Sequence, residues 1–177
     1  MSDTLIRLSM SDKKYEEITN LVSESYPNSC ICWIDQVNNT YLEYEFTKLF
    51  DSIVEKRKKI KPKIIQMFHG TKEENVSPII YNGFDTSKNK VSAYGIGTYF
   101  AKKASYSYNY MHPGKEQISY MFLSDVIFGS LCTTTGKIDI DRFDNSVDNF
   151  RDPTICVTPY DFGAIPRYII AFYKNTK

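Results

Sequence analysis

Apolar positions in the first third of the chain recur at helical spacing. Tyr15, Ile18, Leu21 and Val22 predict a helix over residues 12–25, with Ser11 as its cap. Leu42, Phe46, Leu49, Phe50 and Ile53 form one apolar stripe, and Thr40-Tyr41-Leu42-Glu43 at its start has the form of a capping box. That helix runs into a basic stretch, 56–63, where Pro62 argues against helical backbone. The pattern then changes. Ile64-Ile65-Gln66-Met67-Phe68 reads as a strand, followed by a short helix at 75–82 closed by Gly83 and a polar loop over 85–93. Next come a strand at 96–100, a helix at 101–110 and a long strand over 118–132. An acidic, looped segment covers 139–152, and strands at 154–158 and 168–173 close the chain. Many strands with few, unevenly placed helices predict an α+β fold, not a regular βαβ series. No repeat, linker or low-complexity segment divides residues 1–177, so a single domain is expected.

Composition narrows the function classes. The net charge of +1 gives no global field that would draw the chain to nucleic acid or to a membrane surface. The four cysteines, Cys30, Cys32, Cys132 and Cys156, form neither a CxxC pair nor a cluster with histidine, which argues against a metal site and a disulfide framework. Reduced thiols, no signal-peptide core and no bilayer-length apolar run together predict a soluble intracellular protein of cytoplasm or nucleus. The run 56–63 has two readings: a solvated helix C-terminus whose cations oppose the macrodipole, or a surface that touches phosphates.

A few residues could carry chemistry. Gly95-Ile96-Gly97 lacks the third glycine of a dinucleotide fingerprint and precedes its strand, so a tight turn accounts for it. His69, after an apolar strand, is either a satisfied core or edge residue or a ligand-facing one. Gly70 beside it would let a planar amide approach the backbone. Tyr99 and Tyr110 are either core aromatics or two flat faces that sandwich a ring, with Ser107 within reach of a carboxamide. Spacing alone does not choose.

Two of these segments also resemble a known family. His69-Gly70-Thr71 is similar to the HGT motif of the poly(ADP-ribose) polymerase (PARP) family, and Tyr94-Gly95-Ile96-Gly97-Thr98-Tyr99-Phe100-Ala101 resembles its YGxGxYFA signature. Asn145 to Asp148, Pro153 to Ile155, Asp161 and Ala164 to Pro166 resemble the C-terminal strands of the mono-ADP-ribosylating branch, so the likeness covers about 40–177. The resemblance implies an ADP-ribosyltransferase fold of two packed, mainly antiparallel sheets with flanking helices and no regulatory helical bundle. It implies NAD as co-substrate, with no metal. His69 would bind the adenosine ribose and the Gly70 backbone the nicotinamide carboxamide, helped by Ser107. Tyr99 is the second triad member and Tyr110 the stacking tyrosine, while Thr71, Tyr94, Gly97, Phe100 and Ala101 complete the binding motifs. The third triad position, glutamate in polymerising members, falls on Ile155, which cannot act as a base. The implied activity is transfer of one ADP-ribose to a protein acceptor, on Glu or Asp side chains or on the chain itself, by a monomer with residues 85–93 as a lid. Two other readings stay open: a binder of NAD or ADP-ribose without transfer, and transfer to nucleic-acid phosphate ends.

Overall fold

The longest apolar segments become the centre of the sheet because both of their faces are covered. They are β5 (Ile118–Phe128) and β9 (Ala164–Tyr173), paired antiparallel along most of their length. The computed structural model describes residues 4–89, 93–114 and 116–173. Around the central pair the chain adds β1 (Leu5–Arg7), α1 (Lys13–Ser23), β2 (Ile31–Val37), α2 (Thr40–Lys56), β3 (Lys63–Thr71) and α3 (Glu73–Asn82). It continues with β4 (Thr98–Ala101), α4 (Ala104–Tyr108), β6 (Leu131–Cys132), β7 (Asn145–Val147) and β8 (Ile155–Thr158). The strand order is β1-β2-β9-β5-β3-β4-β8-β7-β6, antiparallel except for β6 beside β7.

This is the α+β architecture expected, with its two sheets present as two leaves of one network. The joint between them is narrow, since β3 and β4 share a single register pair, Phe68 with Ala101. Met67, Phe122, Val126 and Ile169 from the first leaf meet Phe100, Val147 and Cys156 from the second in one buried cluster. The opposite face of the first leaf is covered by α1 and α4, through Ile18, Val22 and Ala104. Helix α2 lays Leu42, Phe46 and Ile53, the expected stripe, on Ile127 and Ile165. No helix among the described residues is long and apolar enough to cross a membrane.

Local chemistry moved several boundaries. The cap of α1 is Asp12, not Ser11. The expected capping box at Thr40 does not form. Asn39 caps α2 instead, its Oδ1 accepting from the N–H groups of Tyr41 and Leu42 at 3.1 and 3.2 Å, while Glu43 turns away to Arg167. The expected helix at 101–110 shrinks to five residues, because Ala101 pairs with Ile155 and the Lys102 N–H bonds the Thr154 carbonyl at 2.9 Å. The strand expected over 118–132 breaks at Gly129 and Ser130, whose N–H groups bond the side chains of Asn145 and Asp144 at 3.0 and 2.7 Å. Those bonds also order β7 inside the segment expected to be a loop. Strand β9 begins earlier than expected and contains Pro166, which sits beside a register shift at Leu123/Ser124, where a missing N–H is tolerated. Strands β1 and β2 were not expected. Ile34, with Ile31, holds β2 against the core, and Arg7 of β1 lies over the Trp33 ring and pairs with the buried Asp35.

Asn39 also reaches a second helix. Its Nδ2 donates to the carbonyls of Ile80 and Tyr81 at 2.9 and 3.1 Å, at the C-terminus of α3. One side chain thus satisfies groups at two helix ends. Asn39→Ala should lower unfolding free energy by about 1–2 kcal/mol in urea denaturation. Asn39→Asp keeps the acceptor, loses the donor, and should fall between the two.

Candidate functional site

Beyond Phe68 and Ala101 the strands β3 and β4 diverge, and a cleft of about 700 Å³ opens between them, within the range of small-molecule sites. His69, Gly70 and Thr71 form one wall. Thr98, Tyr99, Phe100 and Ala101 form the opposite one, Tyr106, Ser107 and Tyr110 close one end, and α3 with residues 83–89 closes the other. With β4 gone from its side, the edge of β3 faces the cleft, and alternate residues of such an edge present both N–H and C=O.

His69 stands with its ring edge-on to Phe84, centroids 5.1 Å apart, and tilted on Phe100 at 5.4 Å. Its Nδ1 lies 2.8 Å from the Tyr99 carbonyl. A carbonyl only accepts, so Nδ1 carries the proton and Nε2 is left as an acceptor. Burial pushes the imidazole pKa below its ordinary 6.5, against the opposing pull of that hydrogen bond. The ring is therefore neutral at pH 7, with a lone pair available to a hydroxyl donor.

Gly70 is required by distance. A Cβ at this position would lie 1.9 Å from the Ser107 carbonyl oxygen, so β3 and α4 touch backbone to backbone. The contact sets the buried Ser107 beside the Gly70 main chain, and the Ser107 carbonyl accepts from the Tyr110 N–H at 3.1 Å. Tyr110 stands at the mouth, 42% exposed, with its ring 5.6 Å from that of Tyr106 and its hydroxyl 3.2 Å from the Tyr106 hydroxyl.

Tyr99 lines the cleft, and its hydroxyl is anchored in its own turn. It donates to the Gly95 carbonyl at 2.7 Å and accepts from the Tyr94 N–H at 3.0 Å. Burial raises the phenol pKa, so it stays protonated as a donor. Tyr94 and Gly97, expected in the binding set, do not line the cleft. They act on it through the backbone: Tyr94 fixes Tyr99, and the Gly97 carbonyl accepts from Asn89 Nδ2 at 2.5 Å. Thr71 and Ala101 are buried lining residues, with Thr71 Oγ1 accepting from Asn75 at 3.3 Å.

Ile155 lies outside the lining. It pairs with Ala101 behind the cleft wall and packs with Val157, Ile138 and Tyr106. Both its N–H and that of Thr154 donate to Asp148 Oδ1 at 2.9 Å. Burial raises the Asp148 pKa, but those N–H groups and the Thr154 hydroxyl outweigh it and hold the carboxyl below its ordinary range. Asp148 is thus committed to this turn and Asp152 pairs with Lys102 at 2.8 Å, while the carboxylates that line the cleft are Glu74, Asp85 and Asp161.

Sequence reading missed Tyr106, Asn75 and the second histidine, His112, all of which line the cleft. Tyr106 stands one residue before Ser107 in the same short helix, and Asn75 four after Thr71. The loop expected to act as a lid is described at 85–89, where Thr86 bonds Asp161 Oδ1 through N–H and hydroxyl at 2.9 and 2.7 Å. Residues 90–92 of that loop lie outside the described residues.

Two outcomes follow from this geometry. Gly70→Ala should disrupt the β3–α4 contact and abolish ligand binding in the cleft, read by calorimetry with NAD. Because unfolded histidine takes up a proton near pH 6.5 and folded His69 does so only lower, folding loses stability as pH falls below 6.5. In His69→Gln, melting temperature should decline less between pH 7 and 5.

Residues 12–147 match the family model for the poly(ADP-ribose) polymerase catalytic domain. The chain is 31% identical over 191 residues to protein mono-ADP-ribosyltransferase PARP14 of Homo sapiens, covering 96% of this chain and 10% of that protein. It is 27% identical over 187 residues to protein mono-ADP-ribosyltransferase PARP12 of Mus musculus, covering 97% of this chain and 26% of that protein. With protein mono-ADP-ribosyltransferase PARP11 of Homo sapiens the identity is 28% over 202 residues, covering 96% and 59%. The chain thus spans 10% to 59% of the length of these relatives. On the strength of the match over 12–147, the chain belongs to the family of the poly(ADP-ribose) polymerase catalytic domain.

Proposed function

We propose that this chain is an NAD-dependent mono-ADP-ribosyltransferase that moves one ADP-ribose to a protein acceptor. The observation that carries the reading is the pairing of a furnished donor cleft with a sealed third triad position. His69, Gly70, Ser107, Tyr99 and Tyr110 converge on one cleft, while Ile155 is 4% exposed behind its wall.

The residues present fit the dinucleotide. A planar carboxamide needs a donor and an acceptor side by side, and the open edge of β3 at Gly70 with the Ser107 hydroxyl supplies both kinds of group. A ribose hydroxyl needs an acceptor, which His69 Nε2 provides. The rings of Tyr99 and Tyr110 offer faces to the nicotinamide. NAD supplies the ADP-ribose and a nicotinamide leaving group when its nicotinamide–ribose bond breaks. Positive charge develops at the anomeric carbon in such transfers, so the protein contributes chiefly by holding the donor in a productive pose. None of Gly70, Tyr99, Ser107 and Tyr110, which would hold the nicotinamide, carries a carboxylate that would activate an acceptor hydroxyl. An acidic acceptor brings its own nucleophile, which favours Glu or Asp as the modified side chain and one transfer per site.

Labelled NAD incubated with the chain and an acceptor mixture, then resolved on a denaturing gel, should give discrete bands that His69→Ala removes. A high-mass smear would contradict the single-transfer reading. Saturable NAD binding with no label transferred would reassign the chain to a binder, and label in RNA but not protein would reassign its acceptor. Ile155→Glu should not convert the bands to a smear. It buries a carboxyl among Val157, Ile138 and Tyr106, costs roughly 2–4 kcal/mol and should lower the melting temperature instead.

A further inference from the structure

The basic run after α2 divides into two parts with different fates. Lys56 and Arg57 are used by the fold. Lys56 Nζ donates to the Ile140 carbonyl, and the Arg57 guanidinium bonds both oxygens of the buried Asp144 at 3.0 and 3.1 Å. Lys58, Lys59, Lys61 and Lys63 are exposed, and none belongs to an ion pair among the described residues. These four lead directly into the first half of β3.

That half of the strand has one open side. From Lys63 to Met67 it pairs with β5, but β4 joins β3 only at Phe68. Among the described residues no strand pairs with the other edge of residues 63–67. An edge of this kind carries unpaired N–H and C=O groups at alternate positions. Met67 is buried, but Ile64 at 49% and Ile65 at 39% are exposed on opposite faces, and Ile60, four residues before Ile64, is 46% exposed. Exposed isoleucines on an open edge invite a further strand. The lysines decide which strand, since two copies of this edge would set like charges face to face, whereas an acidic segment would neutralise them.

We propose that the 63–67 edge of β3 docks an extended acidic segment of a partner protein as an added strand. Its main chain pairs with the open edge, alternate apolar side chains meet Ile64 and Ile65, and its carboxylates meet Lys58, Lys59, Lys61 and Lys63. A nucleic acid is a poorer occupant, because the stretch 56–66 contains no aromatic residue on which a base could stack. The edge leads to the donor cleft: from Ile65 to His69 is four residues, roughly 13 Å of strand. The docking site goes beyond the transferase reading and does not depend on it.

The test is fluorescence anisotropy of the full chain with a labelled, acetylated ten-residue peptide of alternating Glu and Val. Saturable binding is expected, weakened about tenfold or more by Lys61→Glu with Lys63→Glu, and to a similar degree by N-methylation of alternate peptide amides. Both exposed lysines lie outside the cleft, so NAD binding by the double variant should stay as in the wild type. Amide shifts on peptide addition should centre on residues 63–67. Unchanged binding of the N-methylated peptide would overturn the proposal, leaving charge attraction without strand pairing. Tighter, steeply salt-dependent binding of a single-stranded RNA of equal length would overturn it as well. So would the absence of peptide binding at millimolar concentration. NAD binding or transfer failing while the peptide still binds would strike only the transferase reading.

Discussion

Everything about this site depends on where β3 and β4 separate. The two strands share one register pair, Phe68 with Ala101, and then part. On one side of that joint the parting opens a cleft lined by residues 69–71. On the other side it leaves residues 63–67 without a neighbour. The joint holds because Phe68 and Phe100 are buried on either side of it, and because Gly70 lets α4 close to backbone contact just beyond. A side chain at Gly70 would force α4 away, and with it Ser107 and Tyr110.

The electrostatics of the cleft follow from that packing. His69 is neutral because it is held between Phe84 and Phe100, and its tautomer is set by a main-chain carbonyl of the facing strand. Tyr99 keeps its phenol proton for the same reason of burial, and spends it on its own turn. A site that fixes protonation states through backbone carbonyls and aromatic walls is preorganised without charge pairs. This suits the reaction proposed for the chain, in which the donor is held and strained more than protonated.

Much of this was legible in the sequence because short motifs carry local geometry. His69-Gly70-Thr71 ends an apolar strand, and the spacing from Tyr99 to Ser107 and Tyr110 survives because a strand, a turn and one short helix connect them. The stripe on α2 was read correctly, since its 3.6-residue period is a property of the helix alone. Its cap was not: Thr40 and Glu43 have the right letters, but Asn39 wins by bonding a second helix end that only tertiary structure brings near. Strand β2 was missed since its pattern is broken by Asp35, whose burial makes sense only beside Arg7. The extent of α4 was misjudged because Lys102 is held extended by Thr154, fifty-two residues away in the chain. Tyr106 entered the cleft for a similar reason, one turn before Tyr110 on a helix whose orientation the β3 contact decides.

The double bond-set of Asn39 has a mechanical meaning for the cleft. Helix α3 forms one of its walls, and its last carbonyls are held by the side chain that starts α2, a helix seated on β5 and β9. That wall is therefore part of the chassis of the molecule. The segment 85–89 follows it and is tied at two points, through Thr86 to Asp161 and through Asn89 to the Gly97 carbonyl. A ligand entering the cleft would therefore meet a braced helix on one side and a doubly tethered segment beside it.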